Sequence, residues 1–225
     1  MTKTKTLALR ASLIALACAG SAHAAPVTID FENYGSTTIL ATMASGGFNF
    51  APATGNLASL VNGSGCGPAC AANGTTTLVM GGNNVGPAAT APLTMANSLG
   101  QNFYLMGFDF AEFIQGGSFQ NATTIELIGN LFGGGTVTET VALDGLNDGP
   151  GGNTDFQASS LAAFWASSLL TSVTFSGFTG ATANQSFQLD NINVDTGSRV
   201  PEPASLALVG LALFGLGVSR RARAV

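Results

Sequence analysis

The sequence predicts an all-β fold, a β-sandwich, for the central part of the chain. Two features support this prediction: short apolar runs rich in Phe, Val, Ile and Thr, and glycine-rich breaks that separate those runs. The predicted domain, residues 25–198, is long enough to bury one sizeable core. We therefore expect a single β-rich domain, flanked by two segments of different composition.

Eight segments of the central region have the composition of β-strands. They are Val27–Phe31, Phe48–Phe50, Thr75–Met80, Phe103–Phe113, Thr123–Ile128, Thr136–Leu143, Leu169–Phe175 and Phe187–Val194. Three consecutive glycines, Gly133 to Gly135, predict a hairpin loop between the fifth and the sixth segment. Residues 158–170 fit either a short helix or an irregular lead-in to the seventh segment.

Side-chain alternation assigns a core face to the fourth predicted strand. The residues expected on that face are Tyr104, Met106, Phe108 and Phe110. Asp109 should point the other way.

The last predicted strand breaks its own alternation at Asp190 and Asn191. Two apolar side chains before this point have one parity, and the two after it have the other: Phe187, Leu189, Ile192 and Val194. A bulge at Asp190 and Asn191 would place all four on one face. It would also turn Asp190 aside, where its carboxylate could accept a ligand or backbone donors.

The central region contains many acidic side chains and no basic ones. None of the seven Lys and Arg residues lies between residues 11 and 198, eleven of the twelve Asp and Glu residues do, and the single histidine is His23. Without cationic side chains to hold phosphates, neither nucleic-acid binding nor phosphoryl transfer is expected. Without histidine there is no Ser-His-Asp site, Cys-His site or His-ligated zinc. This composition favours a binding or structural role, and we expect no enzyme activity.

Mutual repulsion among these carboxylates is the second consequence of the composition. The domain has no internal ion pairs to offset it, so salt or divalent cations should relieve the repulsion.

Residues 1–24 fit a secretory signal peptide. A positively charged start precedes a short apolar run, residues 11–20, and the Ala-His-Ala sequence that ends at Ala24 fits the small-x-small cleavage rule. The run is too short to span a bilayer. We therefore expect signal peptidase to cleave here and the mature chain to begin at Ala25.

Residues 204–219 form an apolar stretch that is followed by arginines. These 16 residues would span roughly 24 Å as a helix, short of the ~30 Å hydrocarbon core. The stretch can still insert if it stands upright and Arg220 extends to the interface. The positive-inside rule places the arginines on the cytoplasmic side and residues 25–199 outside. The sequence thus predicts a transmembrane helix and a single-pass membrane precursor.

Three features follow one another in residues 199–225: a Pro-Glu-Pro tripeptide, a short glycine-rich apolar stretch and a group of arginines. The tripeptide and the arginines are Pro201, Glu202, Pro203, Arg220, Arg221 and Arg223. Their order and spacing resemble the PEP-CTERM sorting signal of Gram-negative bacteria. The resemblance implies that the tripeptide is the sorting motif and the arginines a retention cluster. It also implies that an exosortase, a membrane-embedded cysteine protease, processes the exported protein, and that the protein accompanies extracellular polysaccharide.

Short motifs in the middle of the chain also resemble PEP-CTERM ectodomains. They are Thr28-Ile29-Asp30-Phe31-Glu32, Gly47-Phe48-Asn49-Phe50 and Leu189-Asp190-Asn191-Ile192. The layout resembles jelly-roll domains, including carbohydrate-binding modules that hold a structural calcium between their first and last strands. The resemblance therefore implies a jelly-roll-like β-sandwich.

One group of acids suggests a metal site. The first and last strands of a sandwich often meet, which would bring Asp30 and Glu32 close to Asp190. Calcium takes six to eight oxygen ligands, and Asn191 could add an amide oxygen. The hypothesis is one structural Ca²⁺ at these residues. In the alternative, Asp30 and Glu32 are solvated and Asp190 caps the bulge.

Two other sets of acids give weaker signals. Asp144, Asp148 and Asp155 lie close in sequence, but the segment lacks the alternating acids and the final Glu of a calcium loop, so we predict an ordinary polar loop. Asp109 and Glu112 are an acid pair, as glycoside hydrolysis requires, but a strand period of two places them on opposite faces.

Cys66 and Cys70 are the cysteines expected in the mature chain, and in an oxidising compartment we expect them to form a disulfide. A redox site is disfavoured because the segment has one residue more than Cys-Gly-Pro-Cys. Trp165 and Tyr104 are candidate platforms for stacking against sugar rings, with burial in the core as the alternative.

The sequence thus predicts a protein that is exported through the inner membrane and resides at the cell surface or in the extracellular matrix. The expected role is structural or associated with exopolysaccharide and biofilm. A carbohydrate-binding module is the alternative, and a glycoside hydrolase comes third. The expected partners are signal peptidase, exosortase, exopolysaccharide and, before processing, the membrane.

Overall fold

The regular secondary structure in the described part of the chain consists almost entirely of short β-strands. A computed structural model gives the structure of residues 26–35, 38–53, 55, 57–61, 70–80, 92–113, 121–146, 148–149 and 154–197. The strands are β1 (Val27–Ile29), β2 (Thr38–Leu40), β3 (Met43–Ser45), β4 (Phe48–Pro52), β5 (Leu57–Val61), β6 (Thr76–Met80), β7 (Leu93–Asn97), β8 (Tyr104–Glu112), β9 (Thr124–Leu131), β10 (Thr136–Ala142), β11 (Gln157–Ala158), β12 (Leu170–Thr179), β13 (Thr182–Ala183) and β14 (Phe187–Asp195). A short 3-10 helix, Trp165–Ser167, precedes β12.

Several sequence predictions concern residues outside these ranges. They are the signal peptide at residues 1–24, Cys66, and the sorting motif, transmembrane helix and arginine cluster within residues 199–225. Among the residues that the structure describes, no helix is long and apolar enough to cross a membrane.

The strands form two antiparallel sheets. The first has the order β11-β8-β14-β6-β5-β2, and the second has the order β10-β9-β12-β7-β4-β3 with β13 beside β12. In the first sheet, β6 pairs with the first half of β14 and β1 pairs with its second half. Two facing antiparallel sheets confirm the predicted all-β class. The first and last strands also meet, as the metal hypothesis assumed.

Aromatic and aliphatic side chains from both sheets fill the space between them. Phe108 of β8 contacts Phe175 of β12 edge to face, with ring centroids 5.4 Å apart. Phe31, just after β1, contacts Phe50 of β4 in the same manner at 5.0 Å. Edge-to-face pairs add to the free energy gained by burying apolar area, which is the main driving force for such a fold.

All eight predicted strands are present, although several of their boundaries shift. Six shorter strands were not predicted: β2, β3, β5, β7, β11 and β13. Their sequences give weak strand signals, and tertiary pairing stabilises them instead. β7 is an example, because it lies between β4 and β12 and forms a ladder with each. For such segments the neighbours decide the backbone conformation more than local propensity does.

The core face predicted for β8 is wrong in the first half of the strand. Phe108 and Phe110 are buried as predicted, but Met106 is 46 % exposed, and Leu105 is fully buried in its place. Tyr104 is only half-buried. The register between β8 and β14 shifts at this point, so that β8 holds one extra residue at Met106. This bulge reverses the alternation that the sequence pattern assumed.

The bulge predicted in the last strand is confirmed. The register between β14 and β8 shifts after Asp190, and Asn191 has a left-handed backbone conformation with φ of 45°. Asparagine adopts this conformation more readily than most residues. The four apolar side chains around the bulge are all buried: Phe187, Leu189, Ile192 and Val194.

The structure of two connecting segments agrees with what the sequence predicted for them. Gly133 to Gly135 lie in the hairpin between β9 and β10, where the amide of Leu131 donates to the carbonyl of Gly135 at 3.0 Å. Residues 158–170, for which two interpretations were open, begin with the strand residue Ala158, contain the 3-10 helix and end with the strand residue Leu170.

Gly177 in β12 leaves no room for a side chain, and this predicts a large effect of substitution. A Cβ there would lie 2.2 Å from the backbone oxygen of Gln185, which is part of the main chain and cannot rotate away. We expect Gly177→Ala to lower the free energy of unfolding by roughly 3 kcal/mol, the upper range of typical overpacking costs. Chemical denaturation measures the change.

Gly133→Ala is the matched control, because a Cβ at Gly133 would meet nothing within 4 Å. Its unfolding midpoint should equal that of the wild type. Equal stability of the Gly177 and Gly133 variants would contradict the close approach of β12 to Gln185.

Candidate functional site

Asp190 lies in the bulge of β14, and its carboxylate is held by neutral donors. Asn73 Nδ2 donates to Oδ2 at 2.7 Å, Thr75 Oγ1 donates to the same oxygen at 2.8 Å, and the amide of Asn191 donates to Oδ1 at 2.8 Å. The side chain is fully buried. Burial raises the pKa of Asp190, and the three hydrogen bonds oppose that rise.

Glu32 and Asp30 follow β1 but find other partners. The amide of Thr76 donates to Glu32 Oε1 at 2.7 Å, and the amide of Glu32 donates to Asp30 Oδ1 at 3.3 Å. Both acids are exposed. Among the described residues, Asp30, Glu32 and Asp190 do not form a group of three whose carboxylate oxygens all lie within 4.8 Å of one another. These positions fit the alternative in which Asp30 and Glu32 are solvated and Asp190 caps the bulge. Calcium binding at these three residues stays a prediction.

The structure instead brings together the acids for which the sequence predicted an ordinary polar loop. Carboxylate oxygens of Asp144, Asp148 and Asp155 lie within 4.8 Å of one another. These residues lie on the chain between β10 and β11, so the convergence results from the path of the loop. Burial raises the pKa of Asp155, and a hydrogen bond with Asp148 and the charges of Asp148 and Asp144 raise it further.

Glu112, the last residue of β8, lies beside this group. It is only 2 % exposed, and the amide of Gly145, next to Asp144, donates to its Oε1 at 2.8 Å. Burial raises the pKa of Glu112, the Gly145 hydrogen bond lowers it, and the charges of Asp144 and Asp155 raise it again. We call these four residues the acidic cluster: Glu112, Asp144, Asp148 and Asp155.

The candidate acid pair for glycoside hydrolysis, Asp109 and Glu112, is divided between two environments. Asp109 Oδ2 accepts a hydrogen bond from Asn191 Nδ2 at 2.8 Å and pairs across the sheet with Asp190. Glu112 belongs to the acidic cluster. The two carboxylates therefore have no partner in common.

Trp165, proposed as a sugar-stacking platform, is a core residue. Its side chain is fully buried, and the indole packs over Gly129 of β9, where a Cβ would lie 2.8 Å from Trp165 Cζ3. A glycine in the sheet thus creates the space that the ring fills. Since no face of the indole reaches solvent, Trp165 cannot stack against a sugar in this structure. Tyr104 is half-buried and retains an accessible part.

Cys70 is described, but its predicted disulfide partner Cys66 is not. Cys70 is fully buried in a small apolar cluster with Ala58, Val79 and Phe113. Its backbone forms an isolated bridge with Phe113. The disulfide stays a prediction from the sequence.

The raised pKa of Asp190 predicts how the stability of a variant depends on pH. Because the folded-state pKa lies above the ordinary value of 3.8, ionisation costs the folded state more than the unfolded state. Stability linked to this group is complete below pH 3.8 and is lost as the pH rises through the folded-state pKa. Asn cannot ionise, so the destabilisation caused by Asp190→Asn should shrink from acidic to neutral pH.

Urea denaturation of the wild type and of Asp190→Asn, each at a pH below 3.8 and at neutral pH, measures this difference. A destabilisation that grows with pH would mean that the hydrogen bonds to the carboxylate outweigh its burial.

Comparison with protein families identifies a PEP-CTERM protein-sorting motif at residues 199–221. Comparison with curated proteins finds no match. The matched range includes the Pro-Glu-Pro tripeptide and the first two arginines of the cluster, and it covers about a tenth of the chain. This match confirms the resemblance found in the sequence, and the motif implies export and processing by an exosortase. The chain thus carries a PEP-CTERM protein-sorting motif at residues 199–221.

Proposed function

We propose that the protein serves structurally at the cell surface or in the extracellular matrix, in association with exopolysaccharide, after export and exosortase processing. The observation that carries the proposal is the sorting motif at residues 199–221. We place the motif in a single-pass membrane precursor whose segment 204–219 spans the inner membrane. Signal peptidase would remove residues 1–24.

The charge and the strand pairing of the β-domain support a structural role. Eleven acids and no side-chain base between residues 11 and 198 give it a negative surface suited to a hydrated, cation-containing matrix. Pairing of β1 with β14 supports the finer description as a jelly-roll-like sandwich. The lack of a shared partner for Asp109 and Glu112 supports a role other than glycoside hydrolysis, and we propose that the domain is not an enzyme.

Carbohydrate binding is the second candidate function, and one observation favours it. An open groove runs beside β10 and β11, lined by Phe110, Glu139, Thr140 and Gln157 among others. Gln157 is part of this lining and is half-buried. Polar side chains that line a groove are the kind of groups that orient sugar hydroxyls.

Processing at the sorting motif predicts the mass of the mature protein. We expect the protein from cells to lack Arg220, Arg221 and Arg223, because the exosortase acts on the motif that precedes them. Glu202→Ala should leave these arginines in place, since it removes the acid of the tripeptide. Intact-mass spectrometry of the cell-derived protein distinguishes the two forms.

Leu99→Ala is the control for processing, because Leu99 is 81 % exposed and far from the motif in sequence. It should be processed like the wild type. A wild-type product that retains all three arginines would refute the processing claim.

The groove beside β11 predicts which substitution would abolish sugar binding. If the protein binds glycans there, Gln157→Ala should weaken saturable binding on a glycan array at least tenfold, because a polar side chain that lines the groove is lost. Tyr104→Ala tests the half-buried Tyr104, and Phe164→Ala is a control because Phe164 is 43 % exposed and outside the groove. An array with no binding to the wild type would remove this second candidate.

A further inference from the structure

The four carboxylates of the acidic cluster lie near the end of β8. Three of them, on Asp144, Asp148 and Asp155, bring one oxygen each to within 4.8 Å of the others. No Lys, Arg or His occurs between residues 24 and 198. The described domain therefore has no side-chain cation that could balance this concentration of negative charge.

Two oxygens of the cluster are buried and have no hydrogen-bond partner among the described residues: Glu112 Oε2 and Asp155 Oδ1. Glu112 is 2 % exposed, and its other oxygen is fixed by the Gly145 amide, so its carboxylate is held against the loop that carries Asp144. Leaving a buried carboxylate oxygen unsatisfied is costly unless the group is paired or coordinates a metal. In contrast, both oxygens of the buried Asp190 accept hydrogen bonds.

We propose that the acidic cluster is a site for one divalent cation, with Asp144, Asp148 and Asp155 as ligands and Glu112 closing its buried side. An oxygen-only ligand set is typical of Ca²⁺ and Mg²⁺. Ca²⁺ binds oxygens at about 2.3–2.6 Å, so ligands on opposite sides of the ion lie up to about 5 Å apart. Mg²⁺ binds at about 2.0–2.1 Å in a strict octahedron. Ca²⁺ accepts more varied ligand arrangements than Mg²⁺ does, so Ca²⁺ is the ion that we assign to these three carboxylates.

A cation here would tie the chain between β10 and β11 to the end of β8. Asp144 follows β10, Asp155 precedes β11, and Glu112 ends β8, so one ion would link three parts of the fold. The cluster is separate from the sorting motif, and the inference does not depend on the proposed function.

Thermal unfolding and calorimetric titration of the full chain, purified in detergent, test this site. With EDTA removed, CaCl₂ should raise the melting temperature of the wild type and show saturable binding. In the double variant Asp148→Asn/Asp155→Asn, calcium affinity should fall at least tenfold and the calcium-induced rise in melting temperature should disappear. In EDTA the same variant should be at least as stable as the wild type, because it removes repulsion among carboxylates.

The matched control is Asp30→Asn/Glu32→Gln, which removes two acids at the site that the sequence predicted. It should respond to calcium as the wild type does. Glu112→Gln gives a second test, since it should weaken calcium binding while keeping the acceptor for the Gly145 amide. The proposal is overturned if the Asp148/Asp155 variant retains the calcium response, if NaCl of equal ionic strength reproduces it, or if the wild type binds no calcium.

Discussion

The fold accommodates its carboxylates, some of them buried, without a basic side chain to pair with them. At several positions neutral donors take that role. Both oxygens of Glu139 accept from the amide of Ala162, at 3.0 and 3.1 Å, and Glu32 Oε1 accepts from the amide of Thr76. Asp190 is held by an amide side chain, a hydroxyl and a backbone amide. Such bonds to a charged acceptor are stronger than neutral ones, and they fix loops and strand ends in place. Where this supply of donors fails, at Glu112 and Asp155, a cation becomes the remaining partner.

The same requirement explains the local irregularities of the first sheet. The bulge in β14 turns Asp190 toward Asn73 and Thr75, and the left-handed conformation of Asn191 lets its side chain reach Asp109.

Phe31 also has a left-handed backbone, with φ of 58°, which is unusual for a bulky residue. Its ring is fully buried against Phe50, so packing holds a conformation that the local sequence disfavours.

Sorting and ligand binding are assigned to different parts of the chain. Export and processing follow from a linear motif, which is recognised from its contiguous sequence. The acidic cluster of the β-domain, in contrast, combines three acids of one segment with Glu112, which is distant from them in sequence. Glu112 and Asp155 meet only because β11 pairs with β8, and this pairing was not evident from the two-residue strand that makes it. The sugar-stacking role considered for Trp165 failed for a related reason, since Gly129 on another strand creates the space that buries it.

The sequence by itself determined the all-β class, eight strands, the bulge in the last strand and the sorting motif. These depend on local periodicity, turn residues or a contiguous motif, all of which are properties of neighbouring residues. Only the tertiary structure decided the face of the first half of β8, the burial of Trp165 and the convergence of the acidic cluster. Each of these depends on register or on contacts between distant segments. A single extra residue in a strand moves the side chains that follow it to the opposite face of the sheet. The spacing of acids along a loop does not determine the path of that loop.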